Sequence, residues 1–445
     1  MVSALDSAFT SATFSDEETA AFFSDRAEIT ALIKFERTLA HVQESLGIIP
    51  AGTGKMISSD LDNFEVEPAR LAAGYTKDGI VVPTLLKLLR QKLRNESANY
   101  IHYGATSQDA LDTALIIRIK SAISIIEQNL DCLITELVSF AIAHKSTVMI
   151  GRTRNQNSAP TLFALKVVNW LMPMRRQRKR LTELIPRLLV LQLSGSVGTN
   201  AALRGRGKEV YDALAKSLEL SSSDSPWHAQ RDSIVEFANW LSLTAGQLGK
   251  MGKDLLLMAQ NEVGEISISN PGKSSTMPNK ANPVSSETLI SLAAFCRSNA
   301  DLINQTALAS HERDGVSMAI ERLALPSLIC AASGSIVRAK DCLKNISVNT
   351  AAMQKNLVAD RGLIMAEAAV FALMDCTSRE IATELVSQAC ELSTSNNSHM
   401  IDELKALSSF DLDWEGMKSP ESYLGDAADI IDKVVSEIKS TKNRC

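Results

Sequence analysis

From Leu111 to Ala141 apolar residues recur at Leu115, Ile119, Ala122, Ile126, Leu130, Leu133, Leu137 and Ala141. The steps of three and four are the period of an α-helix. Ile116, Ile123 and Ile134 add a second apolar face, so this helix must bury more than one side. A helix of about 30 residues spans roughly 45 Å, long for a globular protein. The same period runs through Ala159 to Leu193, Arg231 to Glu265, Ser285 to Ala309 and Arg322 to Leu343. Pro173 and Pro186 are expected to kink or interrupt the first of these. Strand-like alternation is scarce, and aromatics make up only 5% of the chain. The predicted fold is all-α, built on a central long-helix bundle. Two apolar faces predict that the bundle packs against copies of itself; a monomeric helical array is the alternative.

Three stretches read as breaks: 74 to 84 (GYTKDGIVVPT), 221 to 226 (SSSDSP) and 393 to 398 (STSNNS). None has the composition of a disordered linker. With 445 residues, two or three structural units are expected. The net charge of -5 argues against nucleic-acid binding as the main task. A locally positive pocket for a small anion stays compatible with it. The seven cysteines are irregularly spaced, without a C-x-x-C pair, and read as reduced thiols filling the core of a cytoplasmic protein. The N-terminal stretch lacks the basic start and apolar run of a signal peptide. No run of about 18 uncharged apolar residues predicts a membrane span.

Residues 270 to 283, NPGKSSTMPNKANP, raise a separate question. Gly272-Lys273-Ser274 ends like a phosphate-binding loop, G-x-x-x-x-G-K-S/T. That loop needs glycine at 267, where Ser267 stands, and a preceding strand, where LLLMAQNEVGEI reads as helix. Pro271, Gly272, Pro278 and Pro283 forbid a continuous helix. Hydroxyls, backbone N–H groups, Lys280 and a following helix N-terminus make an anion-binding loop. A plain surface loop has the same composition.

K-S-S-T-M-P-N-K-A-N-P resembles the G-S-S-x-M-P-x-K-x-N-P signature of the fumarase/aspartase superfamily, with Lys273 in place of the first glycine. The resemblance covers nearly the whole chain. HYGATSQD (102 to 109) with Asp112-Thr113-Ala114 is similar to the first block of that superfamily, and GRTRNQ (151 to 156) to the second. PWHAQRD (226 to 232), residues 248 to 266, HERDG (311 to 315) and SPESYLG (419 to 425) resemble its cycloisomerase and adenylosuccinate lyase branch. GATSQD, PWHAQRD and LSGSVGT (193 to 199) are nearer the cycloisomerases.

The resemblance implies three helical domains, 1–110, 111–357 and 358–445. It implies a homotetramer whose central bundles form the core and whose active sites draw on three chains. It implies no metal or organic cofactor, and a small polycarboxylate as substrate. Ser274 corresponds to the acid/base, supported by Lys280. Lys280 and Asn282 correspond to binders of the carboxylate that takes up charge, alongside Ser275 and Met277 of the loop. Thr106, Ser107, Arg152 and Gln156 correspond to further substrate contacts, with Thr106 or Ser107 equally a helix cap. His102 is a site residue or a structural histidine. Arg322 matches an arginine near the substrate phosphate of adenylosuccinate lyases, or is an ion pair. Arg154 stands where those lyases carry histidine; it stays protonated and suits an additional carboxylate. Met318 replaces their phosphate-binding serine. Met318 and Ala319 also replace the tryptophan and histidine of the cycloisomerases.

The implied activity is lactonisation of 3-carboxy-cis,cis-muconate in aromatic degradation. The alternatives are a fumarate-releasing lyase acting on a succinyl-amine and a catalytically silent structural protein.

Overall fold

The long helix predicted around Leu111–Ala141 runs from Ser107 to Ala143 in the computed structural model, which describes residues 3–269, 271–273 and 275–442. In chain order the long helices are α1 (Asp25–Ser45), α2 (Ser107–Ala143), α3 (Phe163–Leu188), α4 (Asp232–Met258), α5 (Val284–Asn304) and α6 (Gly315–Asn345). Helix α2 buries Ile116, Ile119, Ala122, Ile123 and Ile126 almost completely, as its two apolar faces require. Shorter helices occupy much of the N-terminal and C-terminal stretches. The fold is helical, as the periodicity predicts.

The chain forms two compact units, each drawn from three stretches. One comprises residues 1–131, 176–249 and 288–338, the other 132–175, 250–287 and 339–445. In the first unit α1 opens at Ser24, whose hydroxyl accepts the Ala27 N–H at 3.2 Å. The second unit has a core around Leu357, Ile364, Met365, Leu373, Val386, Met400 and Leu404.

Several local expectations differ from the structure. The helix predicted from Ala159 begins instead at Phe163, because Gln156–Leu162 is strand β2, antiparallel to β1 (Val148–Thr153). The turn between them is Arg154-Asn155, both left-handed at φ 51° and 63°. Helix α3 then runs through Pro173 and Pro186 without ending at either. In the 74–84 stretch, helix Ala69–Asp78 continues to Gly79, and another begins at Val82. In the 393–398 stretch, helix Arg379–Asn396 persists until Asn397, left-handed at φ 55°, closes it.

Helix α6 starts seven residues before Arg322, at Gly315, and carries Pro326 inside it. Asp314 provides the start, its carboxylate accepting the Val316 and Ser317 N–H groups at 3.2 and 3.1 Å. Among the described residues α6 is the one helix long and apolar enough to cross a membrane, which the sequence expectation did not foresee. Leu325, Leu328, Ile329, Ala332 and Ile336 are nonetheless buried in the chain, as in a core helix. Burial also pushes the Cys296 and Cys330 thiols up to about 12, which makes them inert packing groups.

Candidate active site

Three sequence blocks converge in the first unit on one buried carboxylate, Asp109 of α2. Its Oδ2 accepts the Thr106 N–H at 2.9 Å and the Gly195 N–H at 3.0 Å. Its Oδ1 accepts the Ser194 N–H at 2.9 Å and lies 2.7 Å from His228 Nε2. Asp109 thus ties HYGATSQD to LSGSVGT and PWHAQRD. The bond to Thr106 is also half of a capping box, the carboxylate of the helix's third residue accepting from the N–H of the residue before the helix. Thr106 is therefore the cap of α2, and Ser107 is its first residue.

Thr106 Oγ1 accepts a 2.7 Å hydrogen bond from Arg313 Nη1. A hydroxyl, an arginine and the N-terminus of a 37-residue helix meet there. Such a corner attracts a carboxylate. Arg313 lies in the HERDG block, to which sequence reasoning gave no role. His102 precedes this corner in the left-handed region at φ 64°, and its Nδ1 sits 2.6 Å from Glu36 Oε1. Gly104, also left-handed, is needed for space: a Cβ would lie 2.6 Å from Leu203 Cδ2.

Burial works to lower the pKa of His102, but the Glu36 charge and hydrogen bond outweigh it and hold the imidazole above its ordinary 6.5. A raised folded value means that the pair stabilises the protein fully below about pH 6.5 and that this contribution fades as pH rises through the folded value. A histidine NMR titration should place the His102 midpoint above 6.5 and show it fall in Glu36→Gln. A wild-type midpoint at or below 6.5 would contradict the pairing.

Behind this corner Arg231 is buried between Asp112 and Glu321. Its Nη1 and Nη2 each lie 3.1 Å from an Asp112 oxygen, and its Nε lies 2.7 Å from Glu321 Oε1. Its guanidinium also covers the Trp227 ring at 5.0 Å. Burial alone would lower its pKa; the charges of Asp112 and Glu321 raise it instead. Burial pushes the Asp112 carboxyl up, opposed by Arg231, and the two parallel 3.1 Å bonds favour the ionised pair. The network joins α2, the start of α4 and α6. Arg322 sits elsewhere on α6: its Nη1 donates to the buried Glu28 at 2.8 Å, and its guanidinium lies over Tyr75 at 5.1 Å. Arg322 is thus engaged in an ion pair with Glu28.

The second unit carries the other two blocks. Arg152 is engaged bidentately with buried Glu265, at 2.8 and 2.7 Å, and Asn356 Nδ2 donates to the same carboxylate at 3.1 Å. Arg152 thereby anchors the β1–β2 hairpin to the 248–266 block. Arg154 and Gln156 are exposed beyond it. Lys166, on the first turn of α3, was not foreseen as part of this region. Burial lowers its pKa, partly offset by the charges of Asp254 and Glu265.

The loop signature is a small hairpin. Strand β3 (Ile266–Ile268) leads to β4 (Gly272–Lys273), which pairs antiparallel with β5 (Ala281–Asn282). Gly272 faces Asn282 in this register and is required for close approach, since a Cβ would lie 2.5 Å from Val284 Cγ2. The Lys280 N–H donates to the Met277 carbonyl at 3.1 Å and closes the far end. Ser275, Met277 and Lys280 project as exposed side chains, while Asn282 is half-buried before α5. Ser274 lies outside the described residues.

The Thr106–Arg313 corner of the first unit and the exposed Lys280 of the second each present cationic and hydrogen-bonding groups of the kind that stabilise a carbanion beside a carboxylate. Such a carbanion delocalises into the carboxylate as an aci-anion and needs cations and N–H donors aimed at its oxygens.

A family model described as "Lyase" matches residues 9–296. The chain is 35% identical to the 3-carboxy-cis,cis-muconate cycloisomerase of Pseudomonas aeruginosa, over 94% of this chain and 93% of that one. Its structure is similar to that of the 3-carboxy-cis,cis-muconate lactonizing enzyme from Pseudomonas putida, with a TM-score of 0.89, 33% identity and coverage of 96% and 98%. It is also similar to a fumarate lyase from Mesorhizobium sp. BNC1, with a TM-score of 0.90, 31% identity and coverage of 95% and 98%.

Proposed function

Since the chain belongs to this lyase family of the fumarase/aspartase superfamily, we propose that it is a 3-carboxy-cis,cis-muconate cycloisomerase. The observation that carries the reading is similarity to such an enzyme along almost the entire chain, with the loop signature in place. In the reaction one substrate carboxylate oxygen bonds to a carbon of the conjugated diene. The double bond opens, and its electrons enter the neighbouring carboxylate as an aci-anion. Lys280, Asn282 and the loop amides hold that charge. Ser274 delivers a proton to the adjacent carbon, which restores the carboxylate and leaves a lactone. Thr106, Ser107 and Arg313 hold a second carboxylate.

The reading includes a homotetramer in the cytoplasm. Each active site would take Thr106–Ser107 from one chain, the 152–156 tip from another and the 272–282 loop from a third. Leu243, Leu302 and Leu323, exposed on α4, α5 and α6, support burial against other copies. The domain division 1–110, 111–357 and 358–445 belongs to the same proposal. Light scattering should give four times the chain mass.

The test is the ultraviolet absorbance of 3-carboxy-cis,cis-muconate with purified protein. Rapid loss of the diene band is expected; a folded protein that leaves it unchanged sinks the assignment. Similarity to a fumarate lyase favours one second reading, release of fumarate from a succinyl-substituted amine. Fumarate appearing from such a substrate would decide for it.

A further inference from the structure

The β1–β2 tip places an arginine where the backbone disfavours one. A two-residue turn with both residues left-handed suits Gly, Asn and Asp. Asn155 fits, at φ 63°, but Arg154 at φ 51° carries a long side chain on a backbone that strains it. Asparagine there would form the same turn more easily. Strain of this kind persists where the side chain has another task.

The two arginines of the hairpin have divided roles. Arg152 uses both terminal nitrogens on Glu265, a carboxylate also occupied by Asn356. Arg154 is exposed, and no hydrogen bond or ion pair joins it to another described residue. Its planar fork stays charged and matches a carboxylate bidentately. Arg152 fixes the hairpin from behind, so the Arg154 tip is held on a braced support.

We propose that Arg154 is the specificity-determining residue of the site, binding the carboxylate that distinguishes a tricarboxylate from a dicarboxylate. The inference rests on the polycarboxylate reading above for its substrate class. Its test does not depend on turnover.

The experiment is calorimetric titration of the purified full-length protein with two unreactive probes. Tricarballylate has three carboxylates; glutarate lacks the central one. The variants are Arg154→Asn, which the turn favours, and Arg154→Lys, which keeps the charge without the fork. Wild type should bind tricarballylate more tightly than glutarate. Arg154→Asn should melt at or above the wild-type temperature, yet bind tricarballylate about 10- to 100-fold more weakly, with glutarate within about 2-fold. Arg154→Lys should fall between. The inference is overturned if wild type shows no preference for tricarballylate. It is equally overturned if Arg154→Asn leaves the preference intact or weakens both probes alike. A wild type that binds tricarballylate through Arg154 but leaves carboxymuconate unchanged keeps this inference and loses the cycloisomerase.

Discussion

Ser274→Ala is expected to lower kcat on 3-carboxy-cis,cis-muconate by about 10²- to 10⁴-fold, the usual contribution of a positioned acid or base. The substrate holds its place through Thr106, Arg313 and the loop, so KM should change little. The far-ultraviolet circular dichroism should be that of wild type, because the paired strands Gly272–Lys273 and Ala281–Asn282 bracket the substitution. This split separates a lost proton donor from a collapsed loop, which would raise KM as well. A variant with more than a tenth of the wild-type kcat would remove Ser274 from the chemistry.

Arg231→Leu should destabilise the protein by about 3–5 kcal/mol, because it strands two buried carboxylates. Asp112 and Glu321 are each only a few per cent exposed and share this one guanidinium. Neither can recover hydration without opening the contact between α2 and α6. The triple replacement of Arg231, Asp112 and Glu321 by apolar residues of similar volume should recover much of the loss, since it removes the stranded charges too. Urea denaturation at fixed protein concentration reads both. A single variant within about 1 kcal/mol of wild type would mean that water reaches the site and that the network does not hold the three helices.

The long helices were legible in the sequence because their packing repeats every three or four residues. Helix α2 shows this best: Ile119, Ala122, Ile126 and Leu130, read as one stripe, are all buried. The β1–β2 hairpin was not legible. Its turn is Arg-Asn rather than Asn-Gly, and Ala159 to Leu162 continue the apolar pattern of the helix that follows. Pro326 sits inside α6 because burial of the surrounding leucines and isoleucines outweighs the missing backbone hydrogen bond.

The candidate site was legible as motifs but not as contacts. Thr106, Lys280 and Asn282 stood out from the blocks that contain them. The contacts that tie the blocks together come from far along the chain: Arg313 on Thr106, Ser194 and His228 on Asp109, Glu265 on Arg152. No local spacing encodes such convergence. Arg152 shows the consequence, since nothing near it in the sequence announces the buried Glu265 that holds it. His228 and Arg231 stood in a recognised block, and only their burial shows that they brace the helix ends.

Lactone closure in this reading ends with a solvent-derived proton delivered to the carbon beside a carboxylate. The most direct measurement is proton NMR of the product formed from 3-carboxy-cis,cis-muconate in deuterium oxide. The expected product is a lactone with one deuterium on the carbon next to the carboxylate, absent from the Ser274→Ala reaction on the same timescale. An unchanged diene, or a lactone without deuterium at that carbon, would contradict it.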